Sequence, residues 1–164
     1  LDGRFNNGGL DPSIFTERLA RHPFAYWTRR YSHDQTTPAV ATRAHMVCLT
    51  NRQAGSGGDM LPWVFREMGL GPVIGTRTWG GLVGVSMFIS MIDGGGLTAP
   101  DYRIYDTKGQ WFVENVGVEP DIEIDLDPAD WSRGRDTQLM KGVAILLDQI
   151  QRDPRPAPAS PLKR

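Results

Sequence analysis

The chain has 164 residues, 40% of them hydrophobic and 23% charged, the make-up of one globular domain with a core of its own. Eighteen Lys and Arg against nineteen Asp and Glu leave a net charge of -1, which excludes a broad basic footprint for nucleic acid. The single cysteine, Cys48, excludes an intrachain disulfide and a multi-cysteine metal site.

Residues 1 to 9 read as the end of a strand breaking into a glycine turn at Gly8-Gly9. Asp11-Pro12 then opens a helix to about Arg21, with Leu10, Ile14, Phe15 and Leu19 as its apolar face. Tyr26 to Tyr31 reads as a strand, and Ser32 to Arg43 as a polar loop. His45 to Thr50 is a short apolar run, a buried strand. The small-residue turn Asn51 to Gly58 joins it to a helical pattern over Asp59 to Met68, which Gly69 stops. Val73 to Thr78 is a further strand. Leu82 to Ile92 and Tyr102 to Val116 read as strands around a loop at Asp93 to Pro100. Ile122 to Leu126 alternates apolar and acidic residues, as an exposed strand does. Thr137 to Arg152 is an amphipathic helix. Residues 1–152 form the domain, and the proline-rich tail, 153–164, reads as disordered.

Two features bear on placement. The longest apolar stretch, Leu82 to Ile92, is interrupted by Gly84, Ser86 and Ser90, and falls short of the ~20 residues a membrane span needs. The start, Leu1-Asp2-Gly3-Arg4, has neither a basic nor an apolar leader region and no Met. The chain therefore reads as a piece of something longer.

The turn Asn51 to Gly58 (NRQAGSGG) holds Ser56 between a buried strand and a helix. A helix N-terminus offers free N–H groups and about half a positive charge, which favours an oxyanion beside the serine hydroxyl. The plain alternative is a Gly-Ser turn without chemistry. The wider sequence bears on that choice. The run NRQAGSGGDMLPWVFREMGLGPVIGTRTWGGLVG, followed by WFVENVGVEPDIEID, resembles the C-terminal catalytic part of the tricorn protease family. These are S41-type serine peptidases related to the carboxy-terminal processing proteases. The likeness runs from Gly3 to the last helix. Its most specific pieces are Gly75 to Gly81 (GTRTWGG) and Glu114 to Asp121 (ENVGVEPD).

The resemblance implies an α/β fold: a ClpP/crotonase-like catalytic core with a mixed sheet and flanking helices, incomplete at the N-terminus. It implies Ser56 as nucleophile, with the N–H of Gly57 and that of Gly8 or Gly9 as oxyanion hole. It implies Glu114 as the last acid of a Ser-His-Ser-Glu relay. The relay histidine and serine belong upstream of this chain. A serine without a base is a weak nucleophile, and the base needs an orienting group. The isolated chain is therefore expected to be inactive until the missing portion is supplied. Where relatives commonly carry an acid after the nucleophile, this chain has Gly57.

None of the chain's own histidines reads as a substitute. His22 follows a helix, His33 lies in a polar loop, and His45 begins the strand that ends short of Ser56. Arg77 and Trp79 are candidates for binding substrate or for packing against the glycines. Cys48 reads as a core residue. The acids Asp121, Glu123, Asp125 and Asp127 read as a solvated strand edge. Gly94-Gly95-Gly96 lacks the Lys-Ser/Thr of a phosphate loop. No cofactor is implied. The expected partners are peptide substrates and further copies of the protein in a homo-oligomer, with no nucleic acid and no membrane. The resemblance implies a cytoplasmic enzyme. The competing reading is a peptide- or ligand-binding module of the same fold that cleaves nothing.

Overall fold

The structure is a computed structural model that describes residues 1–161. Its centre is a parallel sheet of β3 (Cys48–Thr50), β4 (Val73–Gly75) and β7 (Ile122–Glu123), in that order. The first three residues run parallel beside β3: Leu49 N–H donates to the Leu1 carbonyl (2.8 Å) and Gly3 N–H to the Leu49 carbonyl (2.9 Å). Successive side chains of a strand point to opposite faces, so an uninterrupted apolar run buries both faces. Cys48 and Val73 pack on one face against Leu61 and Phe65 of helix α2 (Gly57–Glu67). Val47, Leu49 and Ile74 pack on the other against Ile145 and Leu146 of helix α4 (Thr137–Arg152). The α/β fold expected from the sequence is the one observed.

Short elements complete the chain. Helix α1 (Ser13–Leu19) follows Pro12, and the Asp11 carboxylate accepts the Ser13 N–H at 2.9 Å. The antiparallel ribbon of β1 (Ala25–Trp27) and β2 (Gln35–Thr37) includes a strand inside the expected polar loop. A second ribbon joins β5 (Met87–Ser90) to β6 (Gly96–Ala99), and β6 lies in what reads as loop. Both ribbons arise because a strand of three or four residues needs only its hairpin partner, a signal too short to stand out in the sequence. Helix α3 (Pro128–Ser132) is capped by the Asp127 carboxylate.

Two expectations fail locally. The apolar face assigned to α1 is covered only in part: Ile14 and Phe15, with Leu10 ahead of the helix, are exposed, while Leu19 is half-buried on the side of Thr16, the buried residue of the helix. The expected strand over 102–116 is irregular. Asp106 closes a turn there by accepting the Lys108 and Gln110 N–H groups, and Val113 (φ 67°) and Asn115 (φ 62°) take left-handed backbone that no strand accommodates. The tail is described to residue 161, where it runs without helix or strand, and Arg43 reaches the Arg155 carbonyl. Residues 162–164 of the expected disordered tail lie outside the described residues. Among the described residues no helix is long and apolar enough to cross a membrane.

A half-buried clamp ties the N-terminal segment to the last helix. Arg4 donates to Asp2 (2.7 Å) and to both carboxylate oxygens of Asp136 (2.7 and 2.8 Å). Asp136 is also the N-cap of α4 and accepts the Leu139 N–H. The guanidinium holds the carboxyls of Asp2 and Asp136 below the usual carboxylate range.

Candidate active site

Parallel strands gather their functional loops at their carboxyl ends. Three segments meet there: residues 4–9 after the first strand, 51–56 after β3, and 76–83 after β4. Asn51 joins the first two, because its buried side-chain oxygen accepts the Phe5 N–H (3.0 Å) and the Gln53 N–H (3.2 Å). Gly55 N–H donates to the Asn6 carbonyl (2.9 Å), and Trp79 N–H to the Ala54 carbonyl (2.8 Å).

Ser56 stands at the head of α2 with φ 54° and ψ -119°. A serine in that region costs about 1–3 kcal/mol and persists only where its surroundings impose it. Here they do. The Ser56 N–H faces both the Gly81 carbonyl (3.0 Å) and the Asp59 carboxylate (2.9 Å). Asp59 has no exposed surface, and its other donors are the N–H groups of Gly80 (2.8 Å) and Gly81 (3.1 Å). A buried carboxylate held by three backbone N–H groups is satisfied without a cation. It pins the serine turn to the turn after β4.

Gly8 lies against the serine. A methyl group at Gly8 would come 2.6 Å from the Ser56 Cβ and 2.9 Å from its Oγ, and the residue has φ 111°. The Gly8 N–H is occupied by the Asn6 side-chain oxygen at 3.0 Å. The Gly9 and Gly57 N–H groups have no acceptor among the described residues. A Cβ on Gly57 would stand 3.2 Å from the Gly9 nitrogen, so these two groups are neighbours beside Ser56.

Glu114 is half-buried rather than solvent-facing. The left-handed residues Val113 and Asn115 on either side turn it inward. One of its oxygens accepts the N–H groups of Leu82 (2.6 Å) and Val83 (2.7 Å). Residues 80–83 thus give four consecutive N–H groups to two acids, the first two to Asp59 and the next two to Glu114. Ser56 opens on a cavity of about 310 Å³, and Glu114 on an adjoining one of about 180 Å³. Leu82, Arg103 and Ile104 form the wall they share.

Arg77 and Trp79 line neither cavity. Arg77 donates to the Val116 carbonyl and pairs with Glu119 at 3.8 Å. The Trp79 ring packs beside Gly55, where a Cβ would come within 2.7 Å of it, and beside Gly81. His22 and His45 line a separate hollow with Gly69 and Gly71, and His33 is exposed. Among the described residues no group of three or more His, Cys, Asp or Glu is placed to hold a metal ion. Sequence reasoning missed Asp59, which the Ser-x-x-Asp spacing of a reciprocal helix cap marks.

The model of peptidase family S41 matches residues 1–124. Tricorn protease of Thermoplasma acidophilum is 36% identical over 151 residues, 92% of this chain and 14% of that protein. Tricorn protease homolog 1 of Streptomyces coelicolor is 35% identical over 160 residues, 98% of this chain and 15% of that protein. The crystal structure of the tricorn protease superposes on 92% of this chain and 15% of its own length, with a TM-score of 0.86 at 36% identity. The photosystem II D1 C-terminal processing protease matches 76% of this chain and 34% of its own, with a TM-score of 0.52 at 25% identity. The chain thus spans about one seventh of the length of the tricorn proteins it matches.

Proposed function

The chain belongs to peptidase family S41, and on that premise we propose that it carries the nucleophile, oxyanion hole and terminal acid of a serine peptidase. Ser56 Oγ attacks the carbonyl carbon of a peptide bond while its proton passes to the relay histidine. The carbonyl oxygen becomes an oxyanion and accepts from the Gly57 and Gly9 N–H groups. The histidine then gives its proton to the departing amine, leaving an acyl-enzyme on Ser56 that water hydrolyses by the same steps. Glu114 holds the relay serine, and that serine orients the histidine. Both come from the portion upstream of this chain.

One observation carries this reading: Gly57, next to a serine forced to φ 54°, lies against the Gly9 nitrogen, and neither N–H has an acceptor among the described residues. Fixed donors aimed at a developing charge contribute about 3–4 kcal/mol each to an acyl transfer. Gly8 drops out of the oxyanion hole because Asn6 already takes its N–H. Arg77 and Trp79 then support the loops from outside the substrate cavity. We take the enzyme to be cytoplasmic and homo-oligomeric, acting on short peptides, as the tricorn resemblance implies.

The test is reaction of the complete protein with a fluorophosphonate, followed by peptide mapping. Label is expected on Ser56 and is lost in Ser56→Ala. The 164-residue chain alone is expected to hydrolyse peptides no faster than its Ser56→Ala variant, and to gain activity when the upstream portion is added. A folded complete protein that takes no label at Ser56 would overturn the proposal and leave a binding module of the same fold.

A further inference from the structure

Glu114 follows a strained turn. Its N–H donates to the Phe112 carbonyl at 2.8 Å, which closes a three-residue turn on Val113, and Val113 sits there at φ 67°. A turn of that hand and size is rare, and a β-branched side chain makes left-handed backbone costlier still. Such a conformation persists only where its surroundings impose it. Val113 is buried at the centre of the turn. After Glu114 the hold is backbone: Asn115 N–H donates to the Gly80 carbonyl (2.7 Å), and the Val116 and Gly117 N–H groups return to the Val113 carbonyl (2.8 and 2.7 Å). Before Glu114 the hold is aromatic. The Phe112 ring lies on the Trp63 ring, with 4.3 Å between centroids and 29° between planes. Trp63 belongs to α2, the helix that Ser56 caps, and stands about two turns along it. The helix that presents the serine thus also grips the segment that presents the acid.

We infer that Trp63 is a positioning residue: through Phe112 it fixes where the Glu114 carboxylate stands relative to Ser56. This rests on the peptidase reading, in which Glu114 ends the relay. The Leu82 and Val83 N–H groups both bond one oxygen of Glu114 and so anchor that atom. The direction of the other oxygen is set by the turn that the stack braces. Two rings face to face resist sliding and tilting, because either motion loses contact area. An aliphatic side chain fills the same space without defining an angle. A group that acts on chemistry has to be held to within about 0.5 Å, so the difference between the two is read in turnover.

The test is steady-state kinetics of the complete protein on a peptide that it cleaves. Trp63→Leu is expected to lower kcat about 10- to 100-fold while KM stays within about twofold. Phe112→Leu removes the stack from its other side and is expected to show the same split. Trp63→Phe keeps a flat ring and is expected to retain most of the turnover. Trp63→Leu is expected to add no further loss in a Glu114→Gln background, because the two changes act through one carboxylate. Urea midpoints identify the variants that are folded at the assay temperature. Unchanged kcat in a folded Trp63→Leu or Phe112→Leu protein, a loss confined to KM, or losses that multiply in the double variant would each refute the positioning role. A parent protein that takes no fluorophosphonate at Ser56, or a Glu114→Gln variant as active as the parent, refutes the relay reading itself, and the role of Trp63 with it.

Discussion

At the scale of single residues, Asp59 and Ser56 constrain each other. The serine is strained, and the carboxylate three positions along holds both the serine N–H and the two glycine N–H groups of the next loop. Asp59→Asn keeps the shape but replaces one acceptor oxygen with an N–H₂ group. One or more of the three backbone donors then meets a donor inside a site closed to water. The expected cost is about 2–4 kcal/mol, read as a lower urea midpoint, together with slower fluorophosphonate labelling of Ser56 in the complete protein. An unchanged midpoint would show that the loop holds Ser56 without the acid. Ser56 and Glu114 are legible in the sequence because each sits in a specific run of neighbours. That the Gly8 N–H is taken is not legible, since it depends on where the Asn6 amide points.

At the scale of elements, what the sequence shows depends on length and on how an element is covered. Helix α4 is read at its observed limits, because sixteen residues give a clear period and Asp136 marks the start. The core strands are read in the right order, β3 as a buried apolar run and β7 as an exposed strand of alternating apolar and acidic residues. The run Val113 to Asn115 reads as strand from its composition, yet its backbone serves to aim Glu114. Helix α1 shows that periodicity says which residues share a face, not that anything covers the face. The Arg4 clamp joins residues 132 apart in the chain, and it makes stability depend on pH. The carboxyls of Asp2 and Asp136 lie below their unfolded values because Arg4 bonds to them. Their contribution is therefore complete above the unfolded carboxylate range near pH 4, and it is lost as pH falls through the lower folded values. Arg4→Ala is expected to cost about 2 kcal/mol at neutral pH and to flatten the fall in urea midpoint below pH 4. Asp2 is half-exposed and supplies the smaller share. A variant with the same acid profile as the parent would show that the clamp adds no pH-dependent stability.

At the scale of the whole molecule, the sheet is the layer on which both cores rest, and Cys48 reports on it. Its thiol is fully buried between α2 and β4, and burial pushes its pKa up to about 12. A neutral thiol out of contact with solvent does not react with a disulfide reagent, since the thiolate is the nucleophile. Labelling at pH 8 must therefore wait for the sheet to open. Residues 1–3 are hydrogen-bonded to β3, the strand that carries Cys48, while Arg4 binds that edge to the N-terminus of α4. If these parts open as one unit, weakening the clamp by about 2 kcal/mol raises the population of the open state about 30-fold. The Cys48 labelling rate in Arg4→Ala is expected to rise by that factor, provided reclosing remains faster than the reagent. If residues 1–3 frayed alone, the rate at Cys48 would stay unchanged while the N-terminal amides exchanged faster. The first result makes the clamp a part of the global fold. The second confines it to the edge strand and leaves α2, β3 and β4 as the smallest unit that holds Ser56 in place.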